Sequence, residues 1–449
     1  MDTEIFKSLP TRKLFFRCVI PSIMTMTFGA LYQIMDGIFV GRFIGEDALA
    51  AVNLVMPIIM IIFSFSDMVA IGASVRISIL LGERKRKEAS QIFSFTIKII
   101  LLLSFLIGFL GLFFAEHIVN FLSPNATEQA KEYAIIYVKT YAIFSPLLPV
   151  YFATDNFLRV CGKEKLSMWI NIGTQLINVI LDIVLIAFLG MGVFAAAFTS
   201  CFAISIGTII TLAVFYKKNL DLYYTKKNIS FKVFFNIIIN GSSEFFNSIS
   251  TSIMSIIYNF FLLKYGGTTA VAAFSVIMYV DGIVNIIILG ICEALQPSIS
   301  YCYGAGMLKK VNLIFKYIII SAICISIIAM FSIIFASNHI ISFFVNLKDT
   351  NLLAISISGI ELFAISYLTG WVDICFSSYF TAVEKPIYSL LIAFWGTIII
   401  PIVFLVLFTP IWHLNGIWIT IVTASIVSAI LTIIFVLIIK IKTKKNIIF

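Results

Sequence analysis

The sequence predicts an all-α polytopic membrane protein of twelve transmembrane helices arranged as two six-helix lobes. Three observations carry that prediction. Of 449 residues, 61% are hydrophobic and 12% are charged, against about 25% charged in a soluble domain. Apolar runs long enough to cross ~30 Å of hydrocarbon, which takes roughly 20 residues, recur along the whole length. Finally, the second half repeats the first at a constant spacing.

The apolar runs read as spans at 14–41, 48–81, 91–119, 133–158, 166–190, 192–216, 232–264, 270–301, 312–338, 352–381, 388–410 and 415–440. Several exceed the minimum, which implies tilt or extension beyond the bilayer. Orientation follows from the basic residues between them. On one side lie Lys7, Arg12, Lys13 and Arg17, then Arg84 to Lys87, then Arg159, Lys163 and Lys165. Lys217, Lys218, Lys226, Lys227 and Lys232 follow on that side, with Lys309, Lys310, Lys385, Lys440, Lys442, Lys444 and Lys445. These twenty-three face at most five on the other side: Arg42, Lys131, Lys264, Lys348 and Lys139. The positive-inside rule then places both termini in the cytoplasm and accounts for the net charge of +9 without a nucleic-acid partner.

Met1 to Leu9 is polar and the first apolar run exceeds an h-region, so no cleaved signal is expected. The seven cysteines lie in or beside apolar segments without a C-x-x-C pair and read as buried filler. Usage rich in Ile, Lys and Asn points to a bacterial chain in the cytoplasmic membrane, where the Asn125-Ala126-Thr127 sequon has no role.

The repeat sets the domains. Gly45 to Ala51 (GEDALAA) matches Gly267 to Ala273 (GTTAVAA), 222 residues on. Gly82 and Gly304 have the same separation, as do Lys163 and Lys385. Gly192 and Thr199 match Gly416 and Thr423 at 224. Six helices repeated in one orientation imply a parallel duplication about an axis along the membrane normal. The expected division is an N-lobe at 1–216, a basic linker at 217–231 and a C-lobe at 232–449. Transporters built this way bind near the interface of the lobes and rock between two states.

The copies differ where it matters chemically. Asp36 in span 1 corresponds to Tyr258, Asn178 to Ile400 and Asp182 to Phe404. An ionisable residue inside a span is expensive and is a functional candidate by default. Asn178 and Asp182 are four apart on span 5 and share a helix face. Counting from the outer turns, Asp36, Asp182 and Thr199 of span 6 all lie about 7–12 Å below the outer end. Two carboxylates, an amide and a hydroxyl at one depth suit either Na⁺ or a shared proton. Separate helix–helix hydrogen bonds would be the bland alternative. Neutralising one of two repelling carboxylates would let spans 1, 5 and 6 repack. Pro21 either provides a bend for that or is a plain kink.

Other buried charges have local readings. Asp155 and Arg159 are spaced i, i+4 and suit an ion pair. Glu293, before Gln296-Pro297, is either a gate or a satisfied structural acid. Glu244, near the start of span 7, is the C-lobe acid placed to meet a cationic substrate, and Tyr32 and Tyr258 are aromatic candidates for the same cavity. Asp67, Asp281, Glu361 and Asp373 are acids without an assignable partner. There is no G-x-x-x-x-G-K-[ST], no H-E-x-x-H and no G-x-S-x-G, and the three His are isolated. ATP-driven pumping and an intramembrane enzyme are therefore not supported, and no cofactor is expected beyond a coupling ion, H⁺ or Na⁺. Gly190-Met-Gly-Val-Phe-Ala195 fits G-x-G-x-x-A but joins two spans and is a tight turn.

Taken in order, Pro21, Tyr32 to Asp36, Phe39 to Gly41, Ala48 to Pro57, Asn156 to Arg159 with Gly162, Asn178 to Asp182, Gln296-Pro297 and Tyr301 to Gly304 resemble the MATE (multidrug and toxic compound extrusion) family over the whole chain. The resemblance implies two V-shaped six-helix lobes exporting amphipathic, often cationic compounds against Na⁺ or H⁺. In archaeal-type and DinF-like members the cation site uses an Asp on span 1, Asn and Asp on span 5 and Thr on span 6. Those roles fall here on Asp36, Asn178, Asp182 and Thr199. Members often carry Gly-x-Pro at the start of span 7, where this chain has Gly241-Ser-Ser-Glu244. A monomer is expected. A lipid-linked saccharide flippase of the same superfamily is the alternative; it would favour a cationic cavity, and spans 1 and 7 hold no mid-span Arg or Lys.

Overall fold

The chain is seen in a computed structural model that describes residues 2–122, 127–217, 220–227, 229–344 and 350–443. Asn125, Lys218, Lys348, Lys444 and Lys445 lie outside the described residues. Helices account for every predicted span, and no strand occurs among the described residues. Spans 1 to 3 are Thr11–Phe39, Glu46–Gly82 and Arg86–Leu122, and spans 5 and 6 are Glu164–Asp182 and Gly192–Tyr216. Spans 7 and 8 run together as Phe231–Gly304, spans 9 and 10 are Leu308–Phe344 and Thr350–Ala382, and spans 11 and 12 occupy Pro386–Thr443. Among the described residues nine helices are long and apolar enough to cross a membrane, ten with one bent pair counted as a span. Two of these are double. Phe231–Gly304 has 74 residues and breaks at Gly267, and Ile400–Thr443 breaks at His413. A straight 74-residue helix would be about 110 Å long, far more than a bilayer. Splitting both gives twelve.

The turns obey the repeat. Gly45 (φ 124°) opens span 2, and Gly267 (φ 64°), 222 residues on, separates spans 7 and 8. Both angles lie where side-chain-bearing residues rarely go. The gap between the apolar runs 14–41 and 48–81 is shorter in the structure than in the sequence, because span 1 continues through a wide π-turn at Val40–Ile44. Close packing repeats as well. A Cβ on Gly82 would collide with the Tyr301 carbonyl, and one on Gly304 with the Ile79 carbonyl. Ile79 and Tyr301 are themselves 222 apart, so small residues let two backbones meet in a symmetric crossing.

Span 4 departs from a simple rod. Glu128–Phe144 and Leu148–Val160 meet at 52°. Pro146 has no N–H for the Ala142 carbonyl. The Ser145 hydroxyl supplies the missing donor, 2.9 Å from Ala142 O and 2.9 Å from Ser104 O. Gly108 of span 3 makes room, since a Cβ there would strike Ser145.

The linker is less solvated than its charge implies. Leu220, Asp221 and Leu222 are buried. Thr3 N and Oγ1 both donate to Asp221 Oδ2, at 3.1 and 2.7 Å, and Arg86 Nε donates to the Asp221 carbonyl at 2.7 Å. Thr225 N donates to Ser94 Oγ at 2.8 Å, and the Tyr224 ring packs on Phe93. Compact units comprise Met1–Phe245 with Ser300–Ala305, and Phe246–Ile299 with Gly306–Phe449. In the first, an apolar core formed by Val40, Ala51, Val55, Tyr137, Ile186, Ala196 and Cys201 flanks the acidic site.

Candidate functional site

Spans 1, 5 and 6 bring four predicted residues together. Asp182 ends the regular helix of span 5, and its Oδ1 accepts a 2.5 Å hydrogen bond from Thr199 Oγ1. One turn back, Asn178 Nδ2 donates to Ser200 Oγ at 3.1 Å. Ser200 Oγ is also 3.0 Å from the Tyr32 hydroxyl of span 1. Asp36 lies one turn beyond Tyr32, close enough to Asp182 for the two carboxylates to act on one another. Asn178, Asp182 and Thr199 are buried, with Asp182 at 0% exposure.

What distinguishes the group is unmet bonding capacity. Asp36 Oδ1, Asn178 Oδ1 and Asp182 Oδ2 are buried acceptors without a hydrogen-bond partner. Leaving such oxygens unpaired in a low dielectric is costly, and a cation or proton donor among them removes the cost. Both acid-bearing helices also widen into π-turns just C-terminal to their carboxylates, at Val40–Ile44 and Ile183–Phe188. Such turns mark functional sites in many helices.

Two residues of the site were not foreseen. Ser200 links Asn178 to Tyr32, and its repeat counterpart Ala424 has lost the hydroxyl, a loss parallel to that of Asp36. Tyr137 lies within electrostatic reach of Asp36 and stacks on Tyr141 at 4.9 Å and 22°, their hydroxyls 3.5 Å apart. No spacing rule ties a tyrosine of span 4 to an acid of span 1.

Four other acids already hold donors. Asp155 Oδ2 pairs with Arg159 Nη2 at 2.9 Å, while its Oδ1 accepts from Ser167 Oγ at 2.5 Å and Asn171 Nδ2 at 2.8 Å. In the second unit Asp373 accepts from Ser428 at 2.5 Å and Thr432 at 2.6 Å. Asp281 accepts from Tyr367 and Asn285, and Glu361 from Ser337 at 2.8 Å. Glu244 is half-buried in the first unit; Glu293 is exposed and Tyr258 lies against Phe274 in the second. Pro21 is buried inside a continuous helix, with Thr25 Oγ1 donating to its carbonyl at 3.0 Å. Among the described residues no three His, Cys, Asp or Glu gather as a metal cluster. A monovalent cation here would use two carboxylates with amide and hydroxyl oxygens.

The duplication extends to side-chain contacts. At an offset of 222, Asp155, Arg159 and Ser167 become Ser377, Thr381 and Ser389. Ser389 Oγ is 2.8 Å from both Ser377 Oγ and Thr381 Oγ1, a neutral version of the charged cluster.

Comparison with known proteins agrees with this architecture. The MatE family model matches twice, over residues 21–184 and 245–407, one match per repeat. The multidrug export protein MepA of Staphylococcus haemolyticus is 24% identical over 436 residues, covering 96% of this chain and 93% of the relative. A crystal structure of MATE in complex with MaL6 superposes with a TM-score of 0.90 at 22% identity, covering 96% and 97% of the two chains. A MOP superfamily transporter from Pyrococcus furiosus gives 0.91 at 22% identity, covering 99% and 98%. With the family model covering most of the sequence in two copies, the chain belongs to the MatE family of membrane transporters.

Proposed function

We propose that this chain is a secondary antiporter of a bacterial cytoplasmic membrane. In this reading it exports amphipathic, cationic small molecules while H⁺ or Na⁺ moves inward. The observation that carries the reading is the set of unpaired oxygens on Asp36, Asn178 and Asp182. The acids of the second unit that have been placed, Asp281, Glu361 and Asp373, already hold donors, and the repeat has replaced this trio by Tyr258, Ile400 and Phe404. The multidrug export role named for the MepA relatives supports the substrate class.

The chemistry follows from repulsion. Two carboxylates in low dielectric resist sharing a site until a cation or proton screens them. Occupation draws spans 1 and 5 together around it. Departure restores the repulsion and separates them. A transporter needs such a differential to favour one conformation with each bound species. Tyr32 and Ser200 tie the same spans through neutral bonds and hold register while the charge changes.

Efflux of a fluorescent cationic dye from proteoliposomes, under a Na⁺ gradient and a pH gradient imposed separately, tests the reading. Dye movement driven by one gradient and abolished in Asp36→Asn is expected. Ion-driven export unchanged in Asp36→Asn would refute the coupling role, and no movement under either gradient would refute the substrate class.

A further inference from the structure

Span 5 carries more than the two site residues. From one end of its regular helix to the other, Glu164, Ser167, Asn171, Gln175, Asn178 and Asp182 recur at three- and four-residue intervals. At 100° per residue they fall within a stripe about 80° wide, and Glu164 to Asp182 spans about 27 Å. That length approaches the hydrocarbon thickness. A lipid-facing helix has no reason to hold six polar groups in line, and a single polar site needs only one or two.

The stripe has a satisfied inner end and unpaired oxygens from its middle to the other end. At its inner end Glu164 is buried and accepts from Cys18 Sγ at 3.3 Å, beside the satisfied Asp155 cluster around Ser167 and Asn171. At the other end lie Asn178 and Asp182. Between them stands Gln175, whose Oε1 is a further buried acceptor without a partner. Its amide lies against Gly29 of span 1, where an added Cβ would stand 3.4 Å from Gln175 Nε2. Gly29 is seven residues before Asp36 and Gln175 seven before Asp182, so the two pairs form successive layers of one seam. The duplicate helix has lost the pattern: the same positions there are Pro386, Ser389, Ala393, Thr397, Ile400 and Phe404.

We propose that the seam between spans 1 and 5 is the route by which the coupling cation travels between Asp36/Asp182 and the Glu164 end, with Gln175 as its intermediate stage. The Gln175 carbonyl oxygen offers the ion an oxygen ligand midway between the two ends. Gly29 keeps the seam wide enough for the amide to swing. Asn171 and Glu164 receive the ion at the far end. This rests on the antiport reading above and assigns its ion path.

The test is steady-state transport by Gln175→Leu and Gln175→Glu in proteoliposomes, beside binding of Na⁺ and of protons to the detergent-solubilised proteins. Gln175→Leu should lower turnover about tenfold or more, the loss expected when a charged species forfeits one hydrogen-bonding partner. The half-saturating ion concentration should stay within about twofold, since Asp36 and Asp182 are untouched. Gln175→Glu, which keeps an oxygen at the same reach, should retain most of the turnover. Wild-type turnover in Gln175→Leu, or a loss of ion binding equal to the loss of turnover, would overturn the path. So would failure of Gln175→Glu to exceed Gln175→Leu. Failure of the antiport reading looks different: wild-type protein would show no ion-driven export, or Asp36→Asn would leave it intact.

Discussion

The charged cluster of span 4 and its neutral copy in the second repeat set up a double-mutant test. Arg159→Thr alone leaves Asp155 buried, with its side chain 11% exposed and only the Ser167 and Asn171 donors on Oδ1. At 2.9 Å and an effective dielectric near 20 the lost attraction is about 6 kcal/mol, part of which desolvation had already consumed. Stranding one partner of a buried pair costs about 3–5 kcal/mol. The pair Asp155→Ser/Arg159→Thr instead recreates the Ser377–Thr381–Ser389 arrangement, in which hydroxyls satisfy one another. It should recover most of that loss, giving a coupling energy of about 2–4 kcal/mol by a thermodynamic cycle. Equilibrium unfolding in detergent, followed by tryptophan fluorescence, reads all four proteins. A double variant no more stable than Arg159→Thr would refute the claim that the two clusters are interchangeable solutions to one packing problem.

Two further outcomes are expected. Thr199→Val removes the donor to Asp182 Oδ1 and an oxygen from the ion site, so ion-driven dye export should fall about tenfold or more while Thr199→Ser stays near wild type. Ser145→Ala should destabilise by about 1–3 kcal/mol, because the Ala142 carbonyl that Pro146 leaves unpaired would lose the Ser145 hydroxyl, and the same unfolding assay reports it.

The membrane class, the spans and the duplication were legible because bilayer thickness and loop charge act on whole segments of sequence. Asp36, Asp182 and Thr199 could be grouped by depth, since helix rise converts residue counts into distance, and Asn178 joined them through its four-residue spacing from Asp182. Ser200 and Tyr137 were less accessible. Their roles depend on which face of spans 6 and 4 turns toward span 1, and packing decides that. Span 4 was read as one helix because its apolar run is unbroken; the bend depends on how Ser145 and Gly108 accommodate Pro146. The anchoring of the linker was hidden for a related reason. Its lysines advertise solvent, yet Asp221 is held by the Thr3 backbone, the Thr3 hydroxyl and Arg86, contacts from residues 135 to 218 positions away.

That anchoring changes where the molecule can flex. A tether pinned along Asp221 to Thr225 is not a slack joint. The first unit continues through it to Phe245, so the chain passes between units only at residues 245–246, 299–300 and 305–306. The first two of these passages lie inside the helices of spans 7 and 8, on either side of the break at Gly267, and the third adjoins the end of span 8. Wherever the chain crosses from one unit to the other it therefore does so within helix or at a helix end, not as slack coil.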